Sequence, residues 1–162
     1  MKNINKIFGV VIFVIACAAL YLSQGPDKAT KSVSQHIVSD KNQPGVRAIS
    51  GYVIDGDTFV AKVVLENNVQ ISVRVRIMQI DAPEIHGECD SEIAAAQRAK
   101  ARLENLLPQG SVIYLSDVKD DKYLGRIDAF VKTEQGVDIG EIMVKEGLAR
   151  RYGGGRRAGW CD

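Results

Sequence analysis

Between Val69 and Ile80 the chain alternates in period two: Ile71, Val73, Val75 and Ile77 stand against Ser72, Arg74 and Arg76. Successive side chains of an extended strand point to opposite faces, so this segment reads as a strand with one buried side. A partner precedes it. Thr58 to Leu65 (TFVAKVVL) is rich in β-branched residues, and Glu66-Asn67-Asn68 supplies turn chemistry between the two, which makes a hairpin. Tyr52-Val53-Ile54 adds strand character before Asp55-Gly56. A helix is expected from Asp90 or Ser91, either of which can cap it, to about Leu107. Its stripe is Ile93, Ala96, Ala99, Leu103 and Leu106, and Pro108-Gln109-Gly110 ends it. Ser111–Ser116 and Arg126–Thr133 read as two further strands. Asp138 caps a short helix through Glu146 that Gly147 stops. This order of elements predicts an α+β fold: a five-stranded β-barrel of the OB type with two to three helices.

The N-terminus follows different rules. Lys2 and Lys6 precede an unbroken apolar run, Ile7 to Leu22. As a helix it would span about 24 Å, short of the roughly 30 Å hydrocarbon core. A basic start and a short apolar stretch fit a cleaved secretory signal, a lipoprotein leader acylated at Cys17, or an uncleaved membrane anchor. All three put the rest of the chain outside the cytoplasm. Ser23 to Pro44 is polar and contains two prolines, too little apolar surface to offset the entropy of ordering, and reads as a flexible tether. The expected organisation is therefore a leader or anchor over 1–22, a linker over 23–45 and one folded domain over 46–162. Cys17 lies in the apolar run, which leaves Cys89 and Cys161 as an even pair able to cross-link in an oxidising compartment.

Charge excludes one simple route to function. Twenty-one basic and 20 acidic side chains give a net charge of +1, so no bulk field draws a polyanion; any nucleic-acid contact must use locally placed cations. Three short runs carry the chemistry. Asp55-Gly56-Asp57-Thr58 sets two acids around a glycine between strands. Arg76 to Glu84 sets a cation at a strand end, then Asp81 and Glu84 around Ala82-Pro83. Asp120 to Arg126 (DDKYLGR) sets acid, base, aromatic and glycine before a strand. Each alone would pass for a solvated turn. Together they supply hard oxygen ligands suited to Ca²⁺ in Asp57 and Asp81, two guanidinium forks for phosphate oxygens in Arg76 and Arg126, and a candidate base in Glu84. Those are the parts needed for displacement at phosphorus.

From about Gly51 to Cys161 the chain resembles the staphylococcal nuclease (thermonuclease-like) family. The runs that carry the resemblance are Val53–Thr58, Val75–Glu84, Lys122–Arg126 and Gly140-Glu141 through Glu146-Gly147-Leu148-Ala149. The resemblance implies Ca²⁺-dependent hydrolysis of DNA and RNA that leaves 3′-phosphate ends. It implies Asp57, Asp81 and the backbone carbonyl of Ala82 as metal ligands. Arg76 and Arg126 would grip the phosphate, with Glu84 as general base and Lys122, Tyr123 and Tyr152 near the substrate. It implies no protein partner, and a monomer is expected. Two departures stand out. Leu124 interrupts the family's Asp-Lys-Tyr-Gly-Arg run, which leaves the directions of Lys122 and Tyr123 open. Near the C-terminus Tyr152 alone is placed to stack on a base, or else it packs beneath Gly153-Gly154-Gly155. Arg150, Arg151, Arg156 and Arg157 form the one dense basic patch, expected to touch the nucleic-acid backbone, and His86 is expected to be exposed and structural. A non-catalytic OB-fold nucleic-acid-binding module is the competing expectation.

Overall fold

The computed structural model describes residues 45–161. The expected leader and nearly all of the expected linker lie outside them. Five strands, β1 (Val46–Val53), β2 (Thr58–Val64), β3 (Gln70–Ile77), β5 (Val112–Asp120) and β6 (Arg126–Thr133), close a barrel in the order β1-β2-β3-β6-β5. Four pairings are antiparallel, including β1 with β5, and β3 runs parallel to β6. Helices α1 (Asp90–Leu106) and α2 (Ile139–Lys145) complete the α+β architecture. The alternation in β3 does what its period requires: Val73, Val75 and Ile77 enter the core with Phe59, Ile113, Leu115 and Ile127. Closing the sheet on itself leaves these strands without a free edge. Among the described residues no helix is long and apolar enough to cross a membrane.

Several boundaries differ from expectation, each for a local reason. β3 stops at Ile77 because Gln79 takes a positive φ of 61° and turns the chain. Ile80–Asp81 then forms a separate two-residue strand, β4, paired antiparallel with Arg150–Arg151, which is β7. β5 runs on to Asp120 because Asp117, at φ 52°, makes a bulge that hides the strand's second half from a period-two reading. The cap of α1 is Cys89, one residue before the expected pair, and its side chain makes no capping bond. Glu92 satisfies the backbone there instead, its carboxylate accepting from the N–H groups of Glu88 (3.0 Å) and Glu84 (3.3 Å). The buried stripe of α1 is Glu92, Ala96, Ala99 and Leu103, with Ile93 and Leu106 only partly covered. The Asp138 cap of α2 is as expected, its carboxylate accepting from Glu141 N at 3.1 Å.

Candidate active site

Strand register assembles one polar face. In the parallel pairing of β3 with β6, Arg74 stands beside Arg126 and Arg76 beside Asp128, while Val75 and Ile127 face inward. The same alternation that fills the core therefore presents these guanidiniums and a carboxylate on the outside of the barrel. They line a cleft of about 750 Å³ together with Glu84, Lys122, Tyr123, Tyr152 and Arg157. A smaller groove of about 310 Å³ shares Arg76, Asp128 and Tyr152 with it.

Asp57 and Asp81 sit behind this cleft. They are 3% and 1% exposed, so of the three acids two are buried and Glu84 alone is exposed. Both are reached through cleft-lining arginines. Arg76 holds Asp57 with both terminal nitrogens, Nη1 to Oδ1 at 3.0 Å and Nη2 to Oδ2 at 2.9 Å, and Thr58 Oγ1 donates to Oδ1 at 2.8 Å. Burial raises the Asp57 pKa and outweighs the attraction of Arg76, bringing it to about 7, with the Asp55 charge adding to the rise. Asp81 Oδ2 accepts from Arg150 Nε and Nη2, each at 3.1 Å, and from Trp160 Nε1 at 3.2 Å. Arg157 Nε lies 3.1 Å from the other oxygen, Oδ1, yet that oxygen is buried and receives no aligned hydrogen bond. Arg157 Nη1 also pairs with Glu84 Oε1. The loop that carries Asp57 touches the loop that carries Asp81: a Cβ on Gly56 would stand 2.8 Å from Ala82 Cβ.

These residues suit a hard divalent cation. The donors are carboxylate oxygens. One is a buried acceptor that lacks an aligned donor, and the other acid is so poorly solvated that one guanidinium does not restore its ordinary pKa. Cys89, Glu92 and Cys161 also cluster, but the two sulfurs are joined in a disulfide and offer no thiolate to a metal.

The second guanidinium is set differently. Arg126 donates through Nε to Asp121 Oδ2 at 2.9 Å, and Tyr123 N bonds Asp121 Oδ1 at 2.9 Å. Burial alone would raise the Asp121 pKa, but these two donors and the Arg126 charge lower it. Asp128 shifts the other way, raised by burial and then by the Asp121 charge against the pull of Arg76 and Arg126. Leu124 does not turn the neighbouring residues away. Gly125 adopts φ 75°, Arg126 N closes the turn on Tyr123 O at 3.1 Å, and Arg74 Nη2 holds Leu124 O at 3.2 Å. The extra residue is extruded at 78% exposure, and Lys122 and Tyr123 both remain on the cleft wall. The Tyr123 ring lies beneath the Arg126 guanidinium at 4.5 Å and the Lys122 ammonium at 5.0 Å.

With that geometry in view, the comparison with known families decides the lineage. A family model described as staphylococcal nuclease homologue matches residues 74–158, more than half of the chain. The chain belongs to the staphylococcal nuclease homologues. The matched span includes Arg76, Asp81, Glu84 and Arg126; Asp57 lies before it, joined to it in space by Arg76. No match is found among curated proteins.

Other predicted residues fall as follows. Tyr152 lines both grooves, and its hydroxyl donates to Gly155 O at 2.6 Å, so its ring faces the cleft while its tip braces the glycine loop. His86 is exposed. Much of the basic patch serves the protein itself: Arg150 is bound to Asp81 and stacked on Trp160 at 4.1 Å, Arg151 pairs with Glu141, and Arg157 joins Asp81 and Glu84. Cys89 and Cys161 form a disulfide with Cα atoms 6.0 Å apart. Sequence reasoning missed Arg150, Arg157 and Trp160 as partners of Asp81, and Glu92 as the anchor of the Glu84 loop. Only the Glu92 role had a local signal, an acid three residues after the helix cap.

Proposed function

We propose that this protein is an extracytoplasmic, Ca²⁺-dependent nuclease that hydrolyses phosphodiester bonds of DNA and RNA with little sequence preference and leaves 3′-phosphate ends. One observation carries the reading: Arg76, Arg126 and Glu84 line a single cleft whose floor is backed by the buried carboxylates Asp57 and Asp81. Family membership supports nuclease chemistry. The basic leader and the Cys89–Cys161 disulfide support the compartment.

In this mechanism Asp57, Asp81 and the Ala82 carbonyl would hold the cation, which supplies Lewis-acid polarisation of a phosphate oxygen. Arg76 and Arg126 face the cleft while Asp57 and Asp121 hold part of each guanidinium; their remaining N–H groups donate to the other phosphate oxygens, and their charge offsets what builds as phosphorus becomes five-coordinate. Glu84, exposed at the cleft, orients the attacking water and accepts its proton. The new bond joins the water oxygen to phosphorus, the bond to the 5′-oxygen breaks, and that oxygen takes up a proton from solvent, so that the products are a 3′-phosphate and a 5′-hydroxyl. Lys122 adds charge along the backbone path, and Tyr123 and Tyr152 offer flat faces to bases.

The test is to incubate the purified full chain with labelled single-stranded DNA and RNA in Ca²⁺ or in chelator. Cleavage of both in Ca²⁺, abolished by chelator, is expected. Saturable binding with no product under any divalent metal would transfer the fold to the binding-module reading.

A further inference from the structure

One cation bridges two acids of the cluster from the far end of the chain. Arg157 follows Glu84 by 73 residues, yet it pairs with Glu84 Oε1 and stands 3.1 Å from Asp81 Oδ1, the buried oxygen that has no aligned donor. A single guanidinium thus touches two of the three carboxylates, while Arg76 holds the third. A divalent cation taking oxygens of Asp81 would share that carboxylate with Arg157, and like charges a few ångströms apart in a partly buried site repel strongly.

The segment that bears Arg157 is held at both ends. Arg150 clamps Asp81 on one side; on the other, Cys161 is bonded to Cys89, and Trp160 Nε1 reaches Asp81 Oδ2. Between these anchors residues 153–159 are exposed, and Gly154 and Gly155 take φ values of 102° and 89°. Pinned ends and an exposed middle let the Arg157 side chain move while the backbone stays in place. Its neighbour Arg156 is exposed.

We propose that Arg157 is the resident counter-ion of Asp81 and Glu84 and sets the protein's affinity for its divalent cation, which binds by displacing the guanidinium from Asp81. The inference rests on the metal-dependent reading above. Calorimetric titration of Ca²⁺ into the full chain tests it directly. Arg157→Gln should tighten binding by at least about ten-fold, the factor a 1.4 kcal/mol change represents. Arg156→Gln, the same charge change one residue away, should alter it much less. Equal or weaker Ca²⁺ binding by Arg157→Gln, or an equal gain in Arg156→Gln, overturns the proposal. A wild-type measurement covers the case in which Arg157→Gln fails to fold. The Arg157 Nε–H resonance should shift with added Ca²⁺ along the calorimetric binding curve, and an unmoved resonance also overturns it. Hydrolysis by the wild type is scored separately. Cleavage with Arg157-independent Ca²⁺ affinity removes only this inference, while Arg157-dependent affinity without cleavage removes only the nuclease reading.

Discussion

Arg76 has two roles at the residue scale, and they make different predictions. It neutralises Asp57 from beneath and faces the cleft from above. Replacing a group aimed at developing charge costs about 10²–10³ in kcat. Arg76→Ala and Arg126→Ala should each lose at least that much in a steady-state assay, with circular dichroism unchanged; near-normal rates would remove the role. Asp57 predicts a pH effect with a definite sign. Its folded pKa of about 7 lies above the reference value of 3.8, so the folded state holds the proton more tightly. The associated stability is fully present below about pH 4 and is lost as pH rises through 7. Denaturant titrations in chelator should show the wild type losing stability relative to Asp57→Asn between about pH 4.5 and 7.5. A difference independent of pH would contradict the assignment.

At the scale of elements, the site depends on how closely loops approach the first helix. A Cβ on Gly56 would meet Ala99 Cβ at 2.7 Å and Ala82 Cβ at 2.8 Å, so α1, the Asp57 loop and the Asp81 loop pack through one hydrogen-sized gap. Gly56→Ala must push these elements apart, an overpacking that costs about 1–3 kcal/mol. Thermal unfolding should register that loss together with weakened Ca²⁺ binding, and an unchanged melting temperature would refute the packing argument. Gly87 plays the same part for Glu92, whose carboxylate would lie 2.6–2.7 Å from an added Cβ. Much of this architecture was legible in the chain. The period of β3, the Asn-rich turn before it and the Asp138 cap are local signals, and Arg76, Glu84 and Arg126 stand out as charged residues at strand ends and turns. What stayed hidden depends on distant pairing. The two-residue ladder Asp81–Arg150 has no period to detect, the bulge at Asp117 breaks the one that β5 has, and nothing near Arg157 announces an acid 73 residues away.

Considered as a whole molecule, the described part is a barrel closed on itself with its C-terminal segment strapped back across the acidic cluster. The strap is covalent: the disulfide encloses residues separated by 72 positions, and a loop of that length stabilises by roughly 4 kcal/mol in the chain-entropy account. Reduction, or Cys89→Ser with Cys161→Ser, should lower the denaturation midpoint and loosen the hold of Arg157 and Trp160 on Asp81. An unaltered midpoint would show that the strap is dispensable for stability. The central claim, that buried carboxylates and facing guanidiniums from separate elements form one hydrolytic site, is tested most directly on closed circular DNA with the product ends identified. In Ca²⁺, nicked and linear circles should appear first and fragments bearing 3′-phosphates later, with no products in chelator. Circles that stay intact across divalent metals while the folded protein binds them would contradict it.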